Sequence, residues 1–207
     1  AKATLMGRDI TFDQQGKYNL RIRKTLEAIY KHYDGDRTSD DFKALEVYLK
    51  RVWFSSGIYH HYGCEKFKPG FSEHFFYEAV SMMPETELPL KRGETKEDLL
   101  DELVPVIFDE EILPKRVNQT DGVDLVATSA CNFYEDVTQD EVERFYARLK
   151  DGEDLTPPSY GLNSKLMKRN GEIVEMTWKE EGMYGTAIKE ITSWLLKAQK
   201  YAEKDRK

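Results

Sequence analysis

The chain has 207 residues, enough at roughly 150 residues per domain for one large domain or two small ones. A hydrophobic share of 40% beside a charged share of 33% supports a core, and excludes the disordered, fibrous and membrane-embedded classes. The formal net charge is −7, with acids and bases interspersed along the chain, which disfavours nonspecific binding of nucleic acid.

No stretch approaches the roughly 20 apolar residues that cross a bilayer, and Ala1 to Arg8 lacks the apolar segment of a signal peptide. A soluble chain is expected, with neither a membrane nor a nucleic acid as partner. A cytoplasmic setting is favoured, and a periplasmic one stays open because the parent's amino terminus is not shown. The two cysteines, Cys64 and Cys131, permit a reducing compartment. The chain opens without an initiator Met and closes at Lys207 in helical composition with no stop signal, so a piece of something longer is expected.

Ile22, Leu26, Ile29, Tyr30 and Tyr33 share one helical face ahead of Gly35 and predict a helix over 19–34. Thr38 to Asp41 reads as a cap for a second helix carrying Phe42, Leu45, Leu49, Val52 and Trp53. A shorter helix runs from Ser72 to about Met83, where Pro84 stops it. Residues 84–94 compose a loop. Thr95 to Asp98 caps a helix over Leu99, Leu100, Leu103 and Ile107, which Pro105 is expected to kink or shorten.

Asp124 to Thr128 is the best candidate for a short buried strand. Thr138 and Glu141 form a capping box ahead of Val142, Phe145, Tyr146 and Leu149, with Gly152 as the stop. The period then falls to 2: Tyr160, Leu162, Ser164 and Leu166 alternate, Asn170-Gly171 turns, and Val174, Met176 and Trp178 return as a β-hairpin over about 159–178. A last helix over about 183–204 places Ile188, Ile191, Trp194, Leu195, Ala198 and Tyr201 on one face. The fold class is therefore α+β, predominantly helical with a small antiparallel sheet or hairpin, in one domain that is helical over 18–110 and mixed over 111–207.

Chemistry-bearing residues concentrate in Phe54 to Phe67, which holds His60, His61, Cys64 and Glu65 among aromatic residues. Imidazole, thiolate and carboxylate all ligate zinc, but four ligands within six residues leave little chain to wrap a tetrahedron. The simpler reading is a packed aromatic turn. His74 and Glu78 sit at i and i+4, a spacing that could serve a metal or an acid/base pair, but the simpler reading is an exposed ion pair. Asp109-Glu110-Glu111 and Glu135-Asp136 lack the alternating oxygen ligands and central glycine of a calcium loop, and read as solvated charge. No His-Glu-x-x-His pattern, nucleophile elbow, phosphate loop or dinucleotide fingerprint occurs.

Val52 to Phe67 resembles the dipeptidyl peptidase III family of zinc metallopeptidases in its Bacteroides-like bacterial branch. The likeness continues, in family order, through Gly7 to Ile10, Pro114 to Gln119, Thr128 to Tyr134, Ser159 to Ser164 and Gly182 to Gly185. The resemblance implies two lobes around a wide cleft, this chain being part of the mixed α/β lobe. It also implies removal of dipeptides from the amino termini of short peptides. In the family, zinc is held by a His-Glu-x-x-Gly-His motif and a later glutamate, and the motif's own glutamate activates water. None of those residues is in this chain, so the resemblance implies zinc in the parent protein, none in this segment, no catalytic residue here and an inactive isolated chain. The partners it implies are a short peptide substrate and the missing zinc-binding lobe.

By resemblance, the substrate-binding residues are Gly57, Tyr62, Gly63, Lys66 and Phe67, with Tyr62 foremost as a ring able to pack on a peptide side chain. Two positions depart from the family pattern: Ser56 stands where relatives carry Asn, and Tyr59 where they carry His. Two other readings remain open. One is a noncatalytic helical module binding a peptide or protein through 53–67; the other is a self-contained metal protein using His60, His61, Cys64 and His74.

Overall fold

The computed structural model describes residues 1–150, 152, 156 and 159–203. Among them the chain forms seven α-helices, a single 3-10 turn at Glu85–Glu87 and one sheet of three strands. The helical part comprises α1 (Lys2–Gln15), α2 (Asn19–His32), α3 (Asp40–Ser55), α4 (Glu73–Met82) and α5 (Lys96–Phe108). The apolar stripes read from periodicity form one core: Ile22, Leu26, Leu45, Leu49, Phe76, Leu99 and Leu103 are all fully buried in it. α1 contributes only Phe12 as a buried residue, which leaves apolar periodicity little to read in that helix.

Local chemistry sets the helix ends. Ser39, Ser72 and Thr95 cap α3, α4 and α5 by accepting the amides of Phe42, Phe75 and Asp98. α2 stops at His32, two residues before the expected end, because Tyr33 turns extended and packs its ring 5.4 Å from Phe42 and 5.5 Å from Phe75. α5 continues past Pro105 to Phe108, so the proline does not shorten it.

The mixed part comprises β1 (Tyr134–Glu135), α6 (Gln139–Ala147), β2 (Ser164–Arg169), β3 (Glu172–Thr177) and α7 (Gly185–Ala202). β2 and β3 pair antiparallel from Ser164↔Thr177 to Arg169↔Glu172. Asn170 and Gly171 turn the hairpin at φ 51° and 83°, both left-handed, as an Asn-Gly turn requires. The sheet is mixed, because β1 adds to β2 in parallel. Val137, Val142 and Leu166 form a second core between α6 and the sheet, with Val126, Phe145 and Ile173 packed against it.

Three expectations are corrected here. Asp124 to Thr128 is a helical turn, not a strand: the Asp124 carboxylate accepts the Ala127 amide at 2.8 Å, and the Thr128 amide and hydroxyl both donate to the Asp124 carbonyl. The hairpin strand starts at Ser164, since Gly161 and Asn163 adopt left-handed backbone and break the alternation before it. α6 ends at Ala147, well short of Gly152, and Leu149 lies exposed with its carbonyl accepting the Tyr160 hydroxyl at 2.7 Å.

α7 packs along α1, joining the last helix to the first, but it leaves Leu195 and Tyr201 exposed on the face expected to be core. Polar ties link the mixed part to the helices. Asn132 donates its backbone amide to Gln14 and its side-chain amide to Asp13, which also accepts the Tyr184 hydroxyl. The buried Lys165 ammonium reaches Asn132 at 2.7 Å and pairs with Glu135. None of the helices among the described residues is long and apolar enough to cross a membrane.

Candidate functional site

The aromatic segment leaves α3 through Ser56, whose left-handed backbone ends the helix. Gly57 is required there by close packing. A Cβ at Gly57 would lie 2.1 Å from Nδ2 of Asn19, a buried side chain whose oxygen accepts the Ile58 amide. Residues 58–67 then fold back as a miniature hairpin: Phe67 N–H donates to the Ile58 carbonyl, and His60 N–H to the Glu65 carbonyl, both at 2.8 Å. Tyr59, 2% exposed, anchors its base by donating its hydroxyl to the Leu113 carbonyl at 2.9 Å.

The hairpin is extended sideways by backbone bonds from Lys66 N–H to Pro114 and from Arg116 N–H to Cys64. Ala130 and Cys131 in turn donate to Lys115 and Arg116. Three blocks carrying the family resemblance, at 52–67, 114–119 and 128–134, thus lie side by side. The Arg116 guanidinium bonds Gln15 of α1 and approaches the His61 carbonyl at 3.4 Å, fastening the tip to the helices. Cys64 and Cys131 are both free thiols, and burial pushes the Cys131 thiol up.

Tyr62 stands at the hairpin tip, 85% exposed. The turn beneath it is held by His60, whose Nδ1 accepts the amides of Tyr62 at 3.3 Å and Gly63 at 3.2 Å. An Nδ1 that accepts leaves its proton on Nε2, so neither nitrogen of His60 offers a lone pair to a metal in this arrangement. His61 stacks on His60 with ring centroids 4.9 Å apart, and Tyr62 and Phe54 lie 4.2 and 5.1 Å from His61. His74 is far along the chain on α4, paired with Glu78 at 3.5 Å on an exposed face. Among the described residues, no three His, Cys, Asp or Glu side chains converge on a point where a metal ion would sit, so the residues described do not fit a zinc centre.

The remaining residues predicted to touch substrate have divided duties. Phe67 helps line an open groove of about 700 Å³ between the hairpin and the outer face of α3. Gly63 sits in the exposed tip turn. Lys66 points the other way: its ammonium donates to the carbonyls of Val106 at 3.0 Å, Ile112 at 2.6 Å and Asp109, closing the end of α5. Burial holds its pKa below the usual lysine value, with Asp109 and Glu110 opposing that shift.

The acidic clusters are likewise engaged in structure. Glu110 pairs with Lys68 at 2.6 Å, and Asp109 accepts the Glu111 amide at 2.8 Å. Asp136 takes a left-handed turn position after Glu135. The outer face of α3, formed by Val47, Lys50, Arg51 and Phe54 at i, i+3, i+4 and i+7, lies outside the core stripe and so outside what core periodicity reveals. Its visible signal is that spacing, on the side opposite Leu45, Leu49 and Val52.

In comparisons with known proteins, no family model matches the chain and no curated protein matches it.

Proposed function

We propose that this chain is scaffold and cleft wall of a zinc-dependent exopeptidase that releases dipeptides from the amino termini of short peptides, and that the tip at Tyr62 contacts the substrate. The reading rests on the resemblance to the dipeptidyl peptidase III family. The observation that carries the substrate-contact part is the large aromatic ring of Tyr62, 85% exposed on a turn fixed by two hydrogen bonds to His60. Fixing the turn before binding lowers the ordering cost that a flexible loop would impose. In this reading hydrolysis belongs to the partner lobe, which by the family resemblance carries the zinc motif.

A chromogenic dipeptide substrate tests the division of labour. The isolated chain is expected to release no dipeptide yet to bind short peptides, and Tyr62→Ala is expected to weaken that binding about tenfold. Zinc-dependent release by the pure chain would contradict the proposal. Peptide binding unchanged in Tyr62→Ala would contradict the placement of the contact.

A second reading, a noncatalytic peptide- or protein-binding module, draws on the same surface: Val47 and Phe54, 49% and 77% exposed, continue the aromatic tip onto α3.

A further inference from the structure

The groove between α3 and the hairpin has an unusual combination of walls. One wall is Val47, Lys50, Arg51 and Phe54 on a single helical face; the other is His60, His61 and Phe67 on the hairpin. Phe54 is 77% exposed, with its ring edge-on to His61, and Tyr62 extends the same aromatic surface. Exposed aromatic surface gathered in a concavity marks a binding face more strongly than scattered apolar residues do.

Charge says what fits it. All the ionisable side chains described as lining the groove are basic, on a chain whose net charge is −7. Lys50 is paired with Glu46 at 2.7 Å, and no ion pair of Arg51 is found among the described residues. A guanidinium beside an aromatic wall supplies a fork for a carboxylate and a plane for an apolar side chain next to it.

We infer that this groove selects peptides carrying a carboxylate next to a large apolar residue, with Arg51 taking the carboxylate and Phe54 the apolar side chain. The inference rests on the peptide-contact reading above and adds the substrate class to it. Arg51 and Phe54 lie three residues apart on one face, so a single short segment can reach both. Because the guanidinium is exposed, its preference for acidic peptides weakens as salt rises.

The test is calorimetric titration of the full chain with two short peptides amidated at the carboxyl end, Ala-Phe-Glu-Leu-Glu and its counterpart with uncharged side chains, Ala-Phe-Gln-Leu-Gln. The acidic peptide is expected to bind about tenfold more tightly. Arg51→Glu, an exposed substitution whose melting curve is recorded alongside, is expected to abolish or reverse that preference. Phe54→Ala is expected to weaken both peptides alike.

Equal affinity for the two peptides, with Phe54→Ala still weakening both, would overturn the charge selection while leaving peptide contact intact. No binding of either peptide would overturn both readings. Unchanged preference in a folded Arg51→Glu protein would also overturn the inference, as would dimerisation through Phe54 without peptide affinity.

Discussion

Lys66, a substrate contact by resemblance, has its ammonium engaged in the frame beside the tip. Its ammonium closes three carbonyls at and beyond the end of α5, where a helix otherwise leaves acceptors open. Lys66→Met removes that donor while keeping much of the packed stem. It is expected to cost about 1–2 kcal/mol, or roughly 2–8 °C in melting temperature for a chain of this size, with peptide affinity unchanged. Loss of peptide affinity without loss of thermal stability would return the ammonium to the binding surface. Gly57 is similar in kind: the resemblance names it as a substrate contact, and the group packed against it is the Asn19 side chain of α2. Tyr62 alone combines the predicted aromatic contact with near-complete exposure.

Among the elements, those announced by both a cap and an apolar period were legible. α3 and α5 start at Ser39 and Thr95, within the segments read as caps, α4 starts at Ser72 where its helix is expected to begin, and the Asn170-Gly171 turn lies where alternation changed direction. α1 was not legible, since a helix burying one phenylalanine has almost no stripe, and its partner α7 arrives from the far end of the chain. Asp124 to Thr128 misled because its apolar run was too short to carry a period, while its capping groups at 124, 128 and 129 all favour a turn. β1 owes its parallel place to long-range pairing with β2, which no local pattern encodes.

The cap of α6 has consequences beyond its own helix. Thr138 accepts the Glu141 amide, and Glu141 accepts the Thr138 amide while also holding Lys168 of β2 at 2.6 Å. Thr138→Ala is expected to lower stability by about 1 kcal/mol, read as a loss of roughly 2–4 °C in a thermal melt. An unchanged melt would show that the box contributes nothing to the docking of α6 on the sheet.

Across the chain, carboxylates fasten several of these junctions and set a common pH dependence. Asp98 is held below its usual pKa by the Thr95 amide and hydroxyl, and Asp124 by the amides of Ala127 and Gln139. Glu135 is lowered by the hydrogen bond from Lys165, and Glu141 by those from Lys168 and Thr138. Each group stays ionised to lower pH in the folded chain than in the unfolded one. Between the two pKa values the unfolded chain therefore binds more protons, and stability falls with falling pH. The melting temperature is expected to hold above about pH 5 and to drop as pH passes below about 4, through the range where these carboxylates protonate. A melting temperature that stays flat or rises down to pH 3 would contradict that account.

The same frame underlies the proposed binding surface: α3, the hairpin at 58–67, the segments at 114–116 and 130–131, and α1 through Arg116 are tied into one unit by hydrogen bonds. In the proposed function this unit presents a peptide-contacting face at its aromatic tip. Mapping amide chemical-shift changes by NMR, on titrating the labelled chain with a short peptide, tests it most directly. Changes concentrated in residues 47–67, strongest around Phe54, His61 and Tyr62, are the predicted result. Changes centred elsewhere, such as on α1 and α7, or no changes at saturating peptide, would contradict it.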